Sequence, residues 1–221
     1  MTPALIAAVH GTRSAAGAAT SAALISRIRS LRPSLEVVVA YLDVQQPPLS
    51  SVLSERSGPA VVVPVLLSGG YHVVDDIPAT AASASAGAVR VARHLGPDRA
   101  LVRVLVERLS PYVVDTIALV GSPSTHVSAR RDLADAATLL AAAVDRPVHP
   151  LTVDASLASS LGALPGRVAV ATYLLGEGFF YETLRTVAAR AGAVAVTEPL
   201  GAHPAIAALI LQRYDEARGP A

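Results

Sequence analysis

The sequence repeats itself at half its length. Leu5-Ile-Ala-Ala-Val9 resembles Thr116-Ile-Ala-Leu-Val120 at an offset of 111 residues. Leu66-Leu-Ser-Gly-Gly-Tyr-His72 resembles Leu174-Leu-Gly-Glu-Gly-Phe-Phe180 at an offset of 108, and Leu95-Gly-Pro-Asp-Arg-Ala-Leu101 resembles Leu200-Gly-Ala-His-Pro-Ala-Ile206 at an offset of 105. Three matches in the same order, drifting by only 6 residues, describe one unit used twice. The chain is therefore expected to form two similar half-domains, residues 1–110 and 111–221, joined near Ser110–Asp115.

Within each unit, short β-branched runs alternate with longer Ala/Leu/Arg segments. Leu5–Val9, Glu36–Tyr41, Val61–Leu67 and Ala88–Ala92 read as four strands, and Ile117–Val120, Val148–Val153, Arg167–Leu174 and Ala193–Val196 as four more. The runs are nearly continuous rather than alternating, the pattern of parallel strands covered on both faces. Between them, Leu24, Ile25, Ile28 and Leu31 mark one apolar helical face ended by Pro33, and Leu133, Ala137, Leu140 and Val144 mark another within Ser128–Val144. Strands alternating with helices imply βαβ units, right-handed crossovers and an α/β fold with four parallel strands per half.

Composition narrows the function. The chain has 221 residues, 52% of them hydrophobic, so a disordered protein is excluded. Its apolar runs, such as the one around Pro64, are strand-sized and far below the roughly 18 residues of a membrane span. The first nine residues lack a basic region and His10 interrupts them, so they do not read as a signal peptide. With no Cys, disulfides and thiolate chemistry are excluded. A net charge of +1 gives no reason to expect nucleic acid or an anionic membrane as partner. A cytoplasmic protein is the expectation. No GxGxxG, GxxxxGK[ST], GxSxG or HExxH pattern is present, which weighs against nucleotide, hydrolase and zinc-protease readings.

In open α/β sheets, ligands sit beyond the carboxyl ends of the strands, so residues placed there are the candidates. His10 follows the first strand in Val9-His10-Gly11-Thr12-Arg13, with Gly11 allowing a tight turn. A neutral imidazole there can bind a metal or take a proton; the bland alternative is a histidine satisfied at a strand end. His72 follows the third strand after Gly69-Gly70, glycines that permit close backbone approach or positive φ, and Asp75-Asp76-Ile77-Pro78 then opens a helix with an acidic cap. First and third strands of such a unit end side by side, which pairs His72 with His10. Asp43 closes the second strand and either assists a histidine or caps a turn.

The second half has Gly121 in place of His10 and Phe180 in place of His72, so chemistry is expected in the first half only. Glu177, Phe179, Phe180 and Tyr181 stand where they can line an opposite wall, with at least one of the aromatics expected in the core. His94, His126, His149 and His203 lack a metal-ligand spacing with each other and are assigned no role; His203, before Pro204, reads as a helix cap or surface residue.

These residues carry a family resemblance. His10-Gly11-Thr12-Arg13 resembles the HG[ST]R opening of the sirohydrochlorin chelatase family, and Leu67-Ser-Gly-Gly-Tyr-His72 followed by Asp76-Ile77-Pro78 resembles its GGxH…DIP segment. Tyr41-Leu42-Asp43 stands at the place of its acidic strand end, usually Glu, and Pro199–Pro204 is similar to its closing segment. The resemblance implies two flavodoxin-like half-domains around a cleft, and ATP-independent insertion of Fe²⁺ or Co²⁺ into sirohydrochlorin, for sirohaem or cobalamin biosynthesis. It places the metal and catalytic roles on His10 and His72, with Asp43 in support. Arg13, Gly69, Gly70 and Tyr71 are then expected to meet the substrate, Arg13 because the tetrapyrrole is rich in carboxylates. The metal is substrate, no permanent cofactor is expected, and a monomer is expected because the second half can replace a partner copy. A non-catalytic tetrapyrrole or metal carrier using the same cleft is the alternative; a two-lobed periplasmic binding protein fits less well, since its lobes are larger.

Overall fold

The structure is a computed structural model describing residues 2–84 and 88–219. The first half runs β1 (Ala4–Val9), α1 (Ala15–Leu31), β2 (Val37–Tyr41), α2 (Leu49–Ser54), β3 (Ala60–Pro64), α3 (Ile77–Ala82), β4 (Val89–Val91) and α4 (Arg99–Leu109). The second runs β5 (Thr116–Gly121), α5 (Val127–Val144), β6 (Val148–Thr152), α6 (Leu157–Gly162), β7 (Val168–Tyr173), α7 (Phe179–Arg190), β8 (Ala195–Val196) and α8 (Pro204–Arg218). Each half holds one all-parallel four-stranded sheet, ordered β2-β1-β3-β4 and β6-β5-β7-β8. The fold is the expected pair of α/β half-domains. The central strands β1, β3, β5 and β7 are buried along their whole length, which is why they read as unbroken apolar runs.

Two local expectations differ. The third strand stops at Pro64 rather than Leu67, because the chain leaves the sheet there and crosses toward the second half. Leu31, placed by spacing on the buried face of α1, lies at the helix end and is 55% exposed.

The two halves are not separately packed. Helix α4, from the first half, packs on α5 and β7 of the second; helix α8, from the second, packs on α1 and β3 of the first. Their apolar faces merge into one central core that joins Leu5, Ile28 and Val63 to Leu105, Leu119 and Ile210. Smaller cores lie on the outer faces, around Ile6, Val62 and Ile77 in one half and Val170, Leu157 and Leu184 in the other.

Two arginines lock the exchange. Arg213 of α8 is 1% exposed, and its guanidinium donates to the carbonyls of His94 and Leu95 and, at 2.6 Å, to the carboxylate of Asp98. Its repeat counterpart, Arg108 of α4, donates to the carbonyl of Leu200 and to Glu198. Asp98 caps α4 by accepting from the Ala100 N–H, and His203 caps α8 by accepting from the Ala205 N–H. The repeated Leu-Gly segments are thus two capped helix starts, each read by an arginine from the other half. Truncating Arg213 would leave Asp98 and two carbonyls without their charged partner. Arg213→Ala is expected to destabilise the protein by about 3–5 kcal/mol, read by chemical denaturation.

Candidate functional site

The carboxyl ends of β1 and β3 lie side by side because those strands pair directly. The residues that follow them are His10 and the segment 65–72. Gly11 makes the turn after His10: its φ is +91°, and a β-carbon there would sit 2.0 Å from the Asp43 carbonyl oxygen. The turn is closed by the Asp43 N–H donating to the His10 carbonyl and the Thr12 N–H donating to Gln45 Oε1. This geometry pushes the His10 side chain into solvent at the sheet edge.

His72 begins a π-turn over His72–Asp76 that runs directly into α3. Asp76 therefore does not cap the helix, as its spacing before Ile77-Pro78 suggested; no side-chain cap bond forms. Instead its carboxylate accepts from His72 Nδ1 at 2.9 Å, one helical turn back. A carboxylate only accepts, so the neutral ring keeps its proton on Nδ1 and its lone pair on Nε2. The rings of His10 and His72 meet edge to face with centroids 4.9 Å apart.

The remaining predicted residues are placed as follows. Tyr71 is 59% exposed, with its ring 5.6 Å from that of His72. Arg13 is exposed and makes no ion pair among the described residues. Asp43 is exposed, and its carboxylate accepts from the adjacent Val44 N–H, so its hydrogen bond goes to the turn and not to either histidine. Gly69 and Gly70 do not adopt positive φ. Gly69 is spent on the contact between halves: its N–H donates to Asp132 at 2.7 Å and its carbonyl accepts from the Ser128 hydroxyl. Tyr173 adds a third hold, donating to the Leu67 carbonyl. Burial, first of all, and the nearby carboxylates of Asp132 and Asp98 push its phenol well above the ordinary range, so it stays a donor.

His126, assigned no role from the sequence, starts α5 and faces the site: its ring lies 6.4 Å from that of Tyr71, and its Nε2 is 4.0 Å from Asp75. The repeat hides it, since Ala15 stands at the corresponding place in the first half. His203 is the helix cap expected of it. Of the aromatics after Gly178, Tyr181 is in the core, whereas Phe179 is 79% and Phe180 38% exposed, edge to face at 5.5 Å. The loop that carries them docks on the start of α1, where Gly178 approaches Thr12.

Among the described residues, the second half has no equivalent imidazole pair. A side chain at Gly121, the counterpart of His10, would press on Leu133 at 3.2 Å. The space nearby, lined by Leu67, Ser122, Arg130 and Tyr173, is a cavity of about 20 Å³. That is room for about one water molecule and not for a flat macrocycle. Among the described residues, no three metal-ligating side chains converge, and no helix is long and apolar enough to cross a membrane.

The fold and the histidine pair define a duplicated α/β protein with one open, imidazole-lined site. Residues 4–112, the half that carries the histidine pair, match the CbiX family model. No curated protein matches the sequence. Among solved structures, the chain is similar to the sirohydrochlorin chelatase SirB from Bacillus subtilis subspecies spizizenii in complex with cobalt, with a TM-score of 0.82 and 23% identity over 100% of this chain and 97% of that one. It is also similar to SirB from Bacillus subtilis with Fe³⁺, at 0.76 and 21% over 96% and 94%. A third is CbiX, the terminal enzyme for biosynthesis of sirohaem in denitrifying bacteria, at 0.72 and 18% over 95% and 97%. At these identities the likeness establishes a shared fold along the whole chain.

The turn after His10 has room for glycine only at position 11, which makes it testable. Gly11→Ala combines a disfavoured φ with overlap on the Asp43 carbonyl, and is expected to cost about 1–3 kcal/mol in thermal or urea denaturation.

Proposed function

We propose that this protein is a sirohydrochlorin chelatase, a cytoplasmic monomer that inserts Fe²⁺ or Co²⁺ into sirohydrochlorin without ATP. The observation that carries the reading is the pair of imidazoles, His10 and His72, at 4.9 Å on the carboxyl edge of the first sheet. The CbiX-family match over the half that bears them, and the whole-chain likeness to sirohydrochlorin chelatases, support the same reading.

The chemistry follows from what the reaction needs. A divalent ion enters the ring as two pyrrolic protons leave. Imidazole serves both parts, since it is a moderate ligand for borderline metals and a base near neutral pH. His72 presents Nε2 while Asp76 holds its Nδ1 proton, and Asp76 stabilises the imidazolium that forms when Nε2 takes a pyrrolic proton. His10 supplies the second lone pair. Two imidazoles leave a divalent ion with open positions, through which the ring nitrogens replace water and then the histidines. Asp43 assists from the turn beneath His10, which its backbone N–H closes.

The substrate is flat and polyanionic. Arg13 meets a carboxylate, Tyr71 lies along one edge of the macrocycle, and Gly69 and Gly70 shape the loop that presents Tyr71 and His72. Phe179 and Phe180 give an apolar surface from the second half.

Purified protein with sirohydrochlorin and Co²⁺ or Fe²⁺ is expected to convert many equivalents, followed by the absorbance change of the macrocycle. His10→Ala and His72→Ala are each expected to lower kcat about 100-fold or more, the range of a lost acid–base group. Wild-type insertion rates in both variants would assign the chemistry elsewhere, and stoichiometric uptake without turnover would make the protein a carrier. Phe179→Ala is expected to weaken sirohydrochlorin binding about 10- to 150-fold, since burying a ring of this size contributes about 1.5–3 kcal/mol; fluorescence titration checks it.

A further inference from the structure

The two halves grip each other through two pseudo-equivalent contacts, and the contacts are not alike. In one, the 65–72 loop of the first half docks on α5. In the other, the loop around Glu177 docks on α1. Gly69 corresponds to Glu177, and Gly17 of α1 corresponds to Ser128 of α5, by the same offsets of 108 and 111 that relate the halves in sequence.

At the Glu177 contact, the position on α1 is glycine because the Glu177 carbonyl oxygen would lie 2.4 Å from any β-carbon there. Among the described residues, no side chain of α1 hydrogen-bonds to that loop. The loop ends in Phe179–Phe180 and carries no imidazole. At the Gly69 contact, α5 offers side chains instead. Ser128 donates to the Gly69 carbonyl, and Asp132 Oδ2 accepts both the Gly69 N–H at 2.7 Å and His94 Nε2 at 2.9 Å. Asp132 and His94 are both five-sixths buried. The polar clamp is thus built only on the loop that bears a histidine of the site.

We infer that Asp132, buttressed by His94 across the contact between halves, is a positioning residue for His72: the second half holds the Gly69–His72 segment so that the imidazole faces His10. This inference rests on the chelatase reading for its kinetic readout. Only two residues, Gly70 and Tyr71, separate the clamped Gly69 from His72, too short a stretch to absorb a displacement before the π-turn begins. Ser21 stands on α1 at the position corresponding to Asp132, and its hydroxyl is turned back onto the Gly17 carbonyl of its own helix, so the first half makes no reciprocal clamp.

The test compares Asp132→Ala, Asp132→Asn and His94→Ala with the wild-type chain. Asp132→Ala is expected to lower kcat for Co²⁺ insertion about 10–100-fold with KM for sirohydrochlorin within about twofold, the effect of losing a residue that orients a ligand. Asp132→Asn keeps an oxygen acceptor for the Gly69 N–H and is expected to restore most of kcat. His94→Ala is expected to fall between them. Independently of turnover, the His72 imidazole signal in ¹H–¹³C NMR is expected to move in Asp132→Ala, while that of His149 on β6 stays. An unchanged kcat with an unmoved His72 signal overturns the inference. So does a loss that appears only in KM, or one that Asp132→Asn fails to restore. If Asp132→Ala does not fold, His94→Ala and Asp132→Asn carry the same comparison. Failure of the wild-type chain to turn over would sink the chelatase reading alone, and the NMR comparison would still decide the positioning role.

Discussion

Neither sheet covers its inner face with helices of its own half alone: α1 and α5 each cover part of it, and a helix from the other half covers the rest. Helix α4 presents Leu101, Val104 and Leu105 to the second sheet, and α8 presents Ile206, Ile210 and Tyr214 to the first. Covering both faces is an absolute requirement for parallel strands whose side chains are apolar on each side. The exchange of these two helices therefore ties the stability of each half to the other. Arg213 shows how specific the tie is. A guanidinium with no exposed side-chain surface loses its hydration, and an uncompensated charge in such a place costs several kcal/mol. Its bonds to Leu95, His94 and Asp98 are available at one axial position of α8 only, so the arginine sets where that helix lies.

A fixed relation between the halves is what allows a site to be assembled from both. The first half contributes the imidazoles, on a strand end and on a π-turn. The second contributes the exposed phenylalanines, His126 near Tyr71, and the polar groups that hold the histidine loop. The arrangement uses the duplication asymmetrically: both copies keep the scaffold and one carries the imidazole pair. On the chelatase reading proposed above, the protein does not have to cage a metal. It has to present lone pairs at a defined distance and let the metal go to a better donor set, which imidazoles do more readily than thiolates.

Much of this was legible in the sequence, and the boundary is physical. The eight strands were readable because buried parallel strands demand unbroken β-branched runs. His10 was readable because it precedes Gly11 at a strand end, a place where a polar side chain has few structural uses. His72 was readable through its glycines and its pairing with the first strand. What escaped was whatever depends on contact between halves. An amphipathic pattern shows that α4 and α8 each have an apolar face, but carries no information on which sheet covers it. His94, Asp132 and His126 lie 38 and more residues from the groups they meet across the contact, with no periodicity relating them. Asp76 was visible as an acid near a helix start, yet the π-turn moves the helix origin back to His72 and converts a cap into a partner for the imidazole.

Helix α5 closes the space beside Gly121 in its own half while supporting the histidine loop of the other. Successive residues on a helix point about 100° apart, so neighbours in sequence serve different surfaces. Leu133 points into its own half, against Gly121 and Tyr173, and fills the space that a histidine at position 121 would need. Asp132, one residue earlier, points out to the other half and takes the Gly69 N–H. One helix thus serves two surfaces with adjacent residues: Leu133 fills the space beside Gly121, and Asp132 holds the Gly69 loop of the other half.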